Sequence, residues 1–356
     1  MMRYVGVDLS KRKFSAVILD DNGDVVVKNA FAMDPAGIIR FTSLLQLDDV
    51  IAFEAGSNCY HFHDLVVPYV KEVKIVNTYA FKVIKSSIKK TDMNDAYLLA
   101  KFLRYGELPI IYVPPVLYRE MRELLNFREK LVQMRTKARN MITTSLEKEG
   151  ILIARKQLDN PAHREKLLDS PVTSVTRLKV STSLAHLEQL DSDILKVENH
   201  LKEMYRGDPV ARSQVCRLMQ IPGIGELMAI AITGELGGSI DRFTSKKAIA
   251  AYAGLVRKTD QSGDSLKYRR IRRGRKLLKK ILTQIVLSQV GRYSNPIVDY
   301  YMYKKKEKCA GKAVVAASRK LITVIYVMLK YDKDFWFVEQ NLYFKKLRQA
   351  NISLAS

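Results

Sequence analysis

The sequence is poor in cysteine and in long apolar runs, and each shortage excludes a class of protein. Only three cysteines occur in 356 residues, and Cys59, Cys216 and Cys309 are too far apart for a thiolate metal site or a disulfide scaffold. No segment approaches the ~18 uninterrupted apolar residues of a membrane-spanning helix, and no apolar signal core is found. The longest apolar stretch, Leu321–Leu329, predicts a buried helix. We therefore expect a cytoplasmic protein with reduced thiols and no membrane partner.

Acidic residues are also in short supply, and this imbalance indicates a polyanionic partner. The chain has 60 Lys and Arg against 37 Asp and Glu, which gives a formal charge of +23 and a pI near 9.8. Each cation placed on a phosphate releases a condensed counterion, so the charge favours nucleic acid. Ribosomal and membrane-surface proteins share such a charge, so it selects a class and not a function. With 47% hydrophobic residues, the chain can build two or three packed domains.

The first 112 residues alternate between strand-like and helix-like segments. Asn22-Gly23 separates two short apolar runs, which is a strong signal for a β-hairpin. Apolar runs end in an acid twice, at Asp8 and at Glu54. The predicted strands are 3–8, 13–20, 25–31, 50–54 and 73–76, and the predicted helices are 35–46, 58–70 and further turns up to about 105. This order predicts an α/β domain with a mixed sheet over residues 1–112.

The remainder of the chain has a helical pattern, with two amphipathic runs in residues 113–206. Their apolar positions are Leu117, Met121, Leu124, Leu131, Met134, Ala138 and Met141, and then Leu187, Leu190, Ile194, Val197, Leu201 and Met204. This spacing predicts an antiparallel hairpin or a coiled coil between chains, and the regular second run favours the coiled coil. Residues 207–335 predict a basic, mainly α domain, and residues 336–356 a C-terminal tail with a short helix and a frayed end.

Four carboxylates form the first candidate site. Asp8 and Glu54 end predicted strands, at the rim of a sheet where side chains can converge on a ligand. Asp92 and Asp95 follow Thr91, a typical helix N-cap, and their spacing places both on one face of the first turn. Taken singly, each acid is explained by a cap or a turn. Gathered carboxylates repel each other unless a divalent cation neutralises them, so the set predicts a Mg²⁺ or Mn²⁺ site for phosphoryl transfer.

The second candidate, Ser262, lies in a basic region. Residues 257–280 contain eleven Lys or Arg and only two acids, Asp260 and Asp264. Ser262 and Gly263 are predicted to lie in a polar loop before the densest part of this run. Nearby cations and a metal could activate the hydroxyl for attack on a phosphodiester. From composition alone, an ordinary Ser-Gly turn is the better interpretation.

A glycine hairpin lies upstream, at Ile221-Pro222-Gly223-Ile224-Gly225, before an apolar helix over residues 227–236. Such a hairpin can present backbone amides at a helix N-terminus to a phosphate, as helix-hairpin-helix motifs do. An ordinary tight turn explains the same residues almost equally well, so both interpretations stay open.

Together these motifs resemble a known family, the DEDD-type transposases of the insertion-sequence 110 family, which also includes pilin-gene invertases. The matching segments occur in family order and span nearly the whole chain. They are Val7-Asp8-Leu9-Ser10-Lys11, Phe53-Glu54-Ala55-Gly56-Ser57, Lys90-Thr91-Asp92-Met93-Asn94-Asp95-Ala96, Ile221-Pro222-Gly223-Ile224-Gly225, Tyr252-Ala253-Gly254-Leu255 and Gln261-Ser262-Gly263. Most are weak signals singly, and their combination is specific.

The resemblance implies a RuvC-like RNase H fold, then a coiled coil for dimerisation, then a transposase domain. By position, Asp8, Glu54, Asp92 and Asp95 would bind the metal, and Ser262 would form a phosphoserine intermediate with DNA. The two sites would come from different subunits of a dimer or tetramer. A noncoding bridge RNA would pair with donor and target double-stranded DNA, so that base pairing selects the sequence. A bacterial or archaeal, nucleoid-associated protein is expected.

Basic residues and glycines near these motifs are the predicted nucleic-acid contacts. They are Lys11, Lys90, Gly223, Gly225, Arg257, Lys258, Lys267, Arg269, Arg270, Arg272, Arg273, Arg275 and Lys276. Two places depart from the family's pattern: Arg257 stands where proline is frequent, and Arg272-Arg273-Gly274-Arg275 stands where Lys-x-Gly-Asn is frequent. The charge and the glycine are kept, so we expect activity to be retained.

Three other functions fit parts of the pattern. A RuvC-like junction-resolving nuclease would use water, with Ser262 in a structural role. A protein-only DNA invertase would need no RNA. A basic nucleic-acid scaffold with a degenerate site is the non-enzymatic alternative, and the intact set of acids argues against it.

Overall fold

The computed structural model describes the backbone of residues 2–84, 91–256, 258–262, 265–269 and 274–352. Side chains are described for residues 2–81, 91–256 and 274–352. The chain divides into two units, Met1–Val113 and Pro114–Ser356, each with its own hydrophobic core. Along the described residues, no helix combines the length and the apolar character that crossing a membrane would need.

A six-stranded mixed sheet forms the first unit and confirms the predicted α/β architecture. Its strands are β1 (Tyr4–Leu9), β2 (Lys13–Leu19), β3 (Val25–Ala32), β4 (Val50–Glu54), β5 (Glu72–Val76) and β6 (Ile110–Ile111). The strand order is β3-β2-β1-β4-β5-β6. The first three strands form an antiparallel meander, β4 and β5 run parallel to β1, and β6 is antiparallel to β5. The predicted hairpin turn is confirmed at Gly23, where φ is +95°.

Helices cover both faces of this sheet. They are α1 (Pro35–Thr42), α2 (Cys59–Val66), α3 (Thr78–Ile84) and α4 (Asp92–Arg104). On the side of α1 and α2, five phenylalanines pack with ring centroids between 5.1 and 6.0 Å apart: Phe14, Phe31, Phe41, Phe53 and Phe62. On the other side, Phe81 of α3 and Leu99 and Leu103 of α4 pack on Val50 and Ala52.

Gly6 brings α4 into direct contact with β1. A Cβ atom at Gly6 would lie 2.1 Å from the carbonyl oxygen of Ala96 and 2.4 Å from the amide nitrogen of Ala100. Any side chain at this position would push the helix away from the strand, because both neighbours are backbone atoms. The position of α4 relative to β1 therefore depends on the glycine.

The second unit begins with a long antiparallel helical hairpin of α5 (Val116–Glu147) and α7 (Ser174–Arg206). Arg128 Nη2 lies 2.6 Å from Glu198 Oε1, and Arg135 Nη1 lies 3.3 Å from Asp191 Oδ1, so the two helices run in opposite directions. The regular apolar face of α7 is buried in the cores that it shares with α5 of the same chain. The hairpin, one of the two predicted alternatives, is therefore present. The favoured coiled coil between chains is not confirmed, because this apolar face is already covered.

The apolar face predicted for α5 is wrong at two positions. Met134 and Met141 are 44% and 58% exposed, whereas Leu131 and Ala138 are buried as predicted. Arginines occupy places on the contact face with α7, where their stems pack and their guanidinium groups pair with acids of α7. These paired cations turn the buried face away from the two methionines.

The rest of the second unit is mainly helical. Its helices are α6 (Pro161–Leu168), α8 (Pro209–Met219), α9 (Glu226–Leu236), α10 (Lys246–Tyr252), α11 (Lys276–Gln289), α12 (Pro296–Glu307), α13 (Ala310–Lys330) and α14 (Gln340–Gln349), and its strands are β7 (Lys258–Ser262) and β8 (Ser265–Arg269). The polar loop predicted around Ser262 is therefore wrong. The two strands pair antiparallel from Lys258–Arg269 to Ser262–Ser265, which satisfies backbone groups that a loop would leave to water.

The C-terminal tail contains the predicted short helix, α14, and this helix is packed on the core. Tyr343 and Leu347 of α14 are buried in the main core of the unit. Lys346 donates hydrogen bonds from Nζ to the carbonyl oxygens of Met219 (2.7 Å) and Ile221 (2.8 Å). Burial lowers the pKa of Lys346 to about 8. Helix α14 thus supports the glycine hairpin that begins at Ile221.

Candidate active site

Two of the predicted acids lie side by side at one edge of the first sheet. Val7 and Phe53 pair in register and belong to the core on the side of α1 and α2. The next residues are Asp8, the second-last residue of β1, and Glu54, the last residue of β4, and both face the side of α4, as Gly6 does. Both acids are half-buried.

The other two acids occupy the first turn of α4. Thr91 is its N-cap, as predicted, and its side chain accepts a hydrogen bond from the amide of Asn94 at 3.2 Å. Asp92 and Asp95 follow, where the positive end of the helix dipole stabilises negative charge. The location of both acids is therefore set by where α4 begins.

A lysine shows which edge of the sheet α4 begins on. Lys13 opens β2, directly after the turn that follows β1, since Leu9 pairs with Phe14. Its Nζ lies 3.1 Å from Oδ2 of Asp92. Asp92 is therefore at the edge of the sheet where Asp8 lies, near the end of β1.

The acids lie at the same edge of the sheet, but their carboxylates do not surround a common point. Among the residues whose side chains are described, no group of three or more His, Cys, Asp or Glu is placed to hold a metal ion. Like-charged carboxylates repel each other, and the Lys13 ammonium neutralises part of the charge on Asp92. The donors are all carboxylate oxygens, which are the ligand type that Mg²⁺ and Mn²⁺ prefer. The metal site stays a prediction.

Cations border the acids. Lys11, a predicted nucleic-acid contact, is exposed in the turn between β1 and β2, together with Arg12 and Lys13. The prediction from sequence did not include Lys13. Its position directly after the turn that follows β1 could have identified it.

The two glycines of the predicted phosphate-binding hairpin have different surroundings. Gly223 has φ +78°, and a Cβ there would lie 2.9 Å from Cγ of Gln289, so this glycine packs on α11. Gln289 also donates a hydrogen bond to the carbonyl of Pro222 at 2.7 Å. Gly225 is the N-cap of α9, is exposed, and has open space where a Cβ would lie. Only Gly225 is placed as the helix-hairpin-helix interpretation requires.

Arg275 is partly exposed and pairs with a buried acid. Its Nε and Nη2 donate to the two carboxylate oxygens of Glu235, at 2.6 and 3.0 Å, and Glu235 is 1% exposed. This bidentate pair uses Nε and Nη2 of Arg275, and its side chain is 36% exposed, so a phosphate contact by Arg275 stays a prediction. The next residue, Lys276, is exposed at the start of α11 and remains accessible. Sequence reasoning missed Glu235.

Several predicted residues lie outside what the structure describes. For Lys90, Arg257, Arg270, Arg272 and Arg273 neither backbone nor side chain is described, and for Lys258, Ser262, Lys267 and Arg269 only the backbone is described. Ser262 is the last residue of β7 and pairs with Ser265. The serine therefore lies at the turn end of the β7–β8 hairpin.

Comparison with protein families gives matches in both units. Residues 5–149 match the model of a DEDD-type IS110 transposase. Residues 215–302 match the model described as the transposase IS116/IS110/IS902 family. Together these regions cover more than half of the chain. The chain belongs to the IS110 family of transposases.

Relatives of this IS110-family chain extend over most of its length. The transposase of insertion sequence IS1111A from Coxiella burnetii is 24% identical over 94% of this chain and 91% of its own. The pilin gene-inverting protein of Moraxella lacunata is 26% identical over 93% of this chain and 97% of its own. The transposase of IS1328 from Yersinia enterocolitica is 25% identical over 79% of this chain and 81% of its own.

Membership of the IS110 family makes the chain a transposase and site-specific recombinase, an enzyme that cuts and rejoins DNA. The DEDD region implies a RuvC-like fold, and the mixed sheet of the first unit agrees with it. Asp8, Glu54, Asp92 and Asp95 all lie within the first matched region, and Ser262 lies within the second. Both candidate sites thus fall inside the segments that define the family.

Proposed function

We propose that this transposase cuts and rejoins donor and target DNA through a phosphoserine intermediate and metal-binding carboxylates. The observation that supports it best is the shared sheet edge, where Asp8 and Glu54 lie at the ends of adjacent parallel strands and α4 begins with Asp92. The acids belong to three separate elements, β1, β4 and α4. A site that binds phosphate would explain why all three place acids at the same edge of the sheet.

Asp8, Glu54, Asp92 and Asp95 would together hold Mg²⁺, or Mn²⁺ in its place. When bound, the cation supplies Lewis-acid stabilisation of the charge that develops on phosphate oxygens. The exposed cations Lys11 and Lys13 at the same edge would keep the DNA backbone close to the acids.

Ser262 supplies the covalent step of the proposed reaction. Its Oγ loses a proton and attacks phosphorus, so that a serine–phosphorus bond forms and the bond from phosphorus to one deoxyribose oxygen breaks. That oxygen takes up a proton and leaves as a hydroxyl. Attack by a deoxyribose hydroxyl of the other DNA reverses the sequence, which frees Ser262 and rejoins the strand without loss of a phosphodiester.

The proposed enzyme works with partners. A noncoding bridge RNA would select donor and target DNA by base pairing, while the protein holds backbone and shape. The charge of +23 suits a chain that holds RNA and DNA together. The acids and Ser262 would come from different subunits of a dimer or tetramer, with residues 113–206 as the helical dimerisation region, 207–335 as the transposase domain and 336–356 as the C-terminal segment.

Ser262→Ala is expected to abolish covalent protein–DNA adducts, because alanine has no nucleophilic oxygen. Labelled donor DNA would be incubated with the chain in Mg²⁺, denatured in detergent and examined for label that migrates with protein. Ser265→Ala is the matched control, since it removes the same hydroxyl from the paired residue of β8 and should leave adducts in place. Recombination at full rate by Ser262→Ala would refute the serine assignment. Cleavage by the unmodified chain without any adduct would favour the water-using nuclease.

A protein-only invertase is the second candidate, and the likeness to the pilin gene-inverting protein of Moraxella lacunata favours it. Sequencing of RNA that co-purifies with the chain separates the two. We expect one noncoding RNA to be strongly enriched over total cellular RNA. Recombination by a preparation free of RNA would support the invertase.

A further inference from the structure

The segment that carries Ser262 follows Leu255, which is still buried in the helical core, and returns to the core at Arg275, and residues near both of its ends bond to Glu235. Glu235, in the last turn of α9, is 1% exposed. Arg275, the N-cap of α11, donates to its Oε2 from Nε at 2.6 Å and to its Oε1 from Nη2 at 3.0 Å. A guanidinium fork on a carboxylate fixes both distance and angle, which a single ammonium cannot do.

The two ends are also joined to each other. The backbone amide of Arg275 donates to the carbonyl of Tyr252 at 2.9 Å. Gly274 has φ +122°, and a Cβ there would lie 2.4 Å from Cα of Gly254. The exit of the segment therefore touches its entry, backbone against backbone.

A third helix braces the same point. Arg122 of α5 donates from Nε to the carbonyl of Gly234 and from Nη2 to the carbonyl of Glu235, both at 2.8 Å. Its Nη2 also lies 3.1 Å from the hydroxyl of Tyr252, which donates to the carbonyl of Glu235 at 2.9 Å. Burial lowers the pKa of the Arg122 guanidinium. Arg122 of α5, Tyr252 of α10 and the N-cap of α11 thus all bond to Glu235 of α9.

The β7–β8 hairpin lies along the chain between the two ends that this base fixes. From Lys258 to Ser262 four steps along an extended strand span about 13 Å, so a tilt of the hairpin of about 10° about Lys258 would displace the backbone of Ser262 by about 2 Å. A misplacement of about 1 Å in a reacting group can cost about a hundredfold in rate. Small changes at Glu235 would therefore be magnified at the serine.

We infer that Glu235 and Arg275 are positioning residues for the recombination reaction, and that their bidentate pair aims the hairpin that carries Ser262. The inference rests on the proposed nucleophilic role of Ser262. It gives Arg275 a task within the protein, in contrast to the exposed cations that are available to nucleic acid.

Arg275→Lys separates positioning from phosphate binding. Lysine keeps the positive charge, so it would still serve a phosphate, but it has no fork for Glu235. We expect adduct formation at saturating DNA to slow about tenfold or more, with DNA affinity within about twofold of the unmodified chain. Glu235→Gln, which keeps the shape and removes the charge, should give the same split between rate and affinity. Arg292→Lys is the matched control, because Arg292 is exposed, and it should change neither quantity.

The outcomes are distinct. An unchanged adduct rate in Arg275→Lys overturns the inference. A parallel loss of DNA affinity and adduct in Arg275→Lys also overturns it, since Arg275 would then contact the DNA. Circular dichroism at the assay temperature verifies that each variant is folded. If Glu235→Gln unfolds the chain, Tyr252→Phe takes its place, because it removes one hydroxyl from the same base. Tyr252→Phe should slow adduct formation as well. Adducts that persist in Ser262→Ala refute the serine assignment itself, independently of the result for Arg275→Lys.

Discussion

Replacing Asp8 by asparagine is expected to slow DNA strand cleavage about a thousandfold in Mg²⁺, because several kcal/mol of charge stabilisation at the phosphate depend on the metal. Asparagine has nearly the shape of aspartate, and Asp8 lies near the end of a strand that is fixed on both sides by β2 and β4. The change therefore removes charge at the shared sheet edge without disturbing the sheet. Cleavage of labelled donor duplex gives the rate.

The control for this prediction is Asp48→Asn. Asp48 lies in the same unit, is exposed, and precedes β4 at the opposite end of the strand from Glu54, so the same chemical change there should leave cleavage intact. Mn²⁺ should raise the melting temperature of the unmodified chain, since a ligand that binds only the folded state stabilises it. Asp8→Asn should lose most of this rise. Undiminished cleavage together with an undiminished Mn²⁺ effect would refute the carboxylate site.

The carboxylate edge could be predicted from sequence because its signals are local. Strand alternation gives the faces of β1 and β4, and an apolar run that ends in an acid places Asp8 and Glu54 at strand ends. Thr91 followed by acids is a capping pattern within one helical turn. Each step uses residues that are close in sequence.

The base of the serine hairpin could not be predicted, because its contacts are distant in sequence. Glu235 lies at the end of an apolar helix, where an acid usually reaches solvent, and its partner is one of eleven cations in residues 257–280. Nothing in the pattern distinguishes Arg275 from its neighbours. The hairpin itself was missed since Lys258–Ser262 and Ser265–Arg269 carry few apolar residues, so no alternation marks them as strands.

The helical hairpin of α5 and α7 could be predicted from the sequence only in part. The spacing of apolar residues identified α7 correctly, and Leu187, Leu190 and Ile194 are buried. Spacing does not say what covers an apolar face, so the covering helix α5 of the same chain was not favoured over a second chain. The error at Met134 and Met141 has a related cause, because Arg128 and Arg135 occupy the contact face through pairs with α7 that no local rule predicts.

Gly6→Ala is expected to destabilise the first unit by about 3 kcal/mol, at the upper end of what an extra buried methyl group costs. The new Cβ would lie 2.1 Å from the carbonyl oxygen of Ala96 and 2.4 Å from the amide of Ala100, and backbone atoms of a packed helix cannot rotate out of the way. Helix α4 must then shift from β1. For a unit of this size the loss corresponds to a fall in melting temperature on the order of 10–20 °C, measured by circular dichroism.

The same substitution should also slow cleavage beyond what unfolding explains, because the first turn of α4 carries Asp92 and Asp95 to the edge where Asp8 lies. Measured well below the melting temperature, the folded variant should cleave at least about tenfold more slowly, since a shift of α4 would move Asp92 and Asp95 away from the edge where Asp8 lies. Gly56→Ala is the control for stability: its Cβ would have only Asn58 Oδ1 at 3.8 Å, an ordinary contact, so melting should be nearly unchanged. If the Gly6→Ala chain melted at the same temperature as the unmodified protein, that result would contradict the direct packing of α4 on β1. A variant that is destabilised and yet cleaves at full rate when folded would show that the acids of α4 are not needed at this edge.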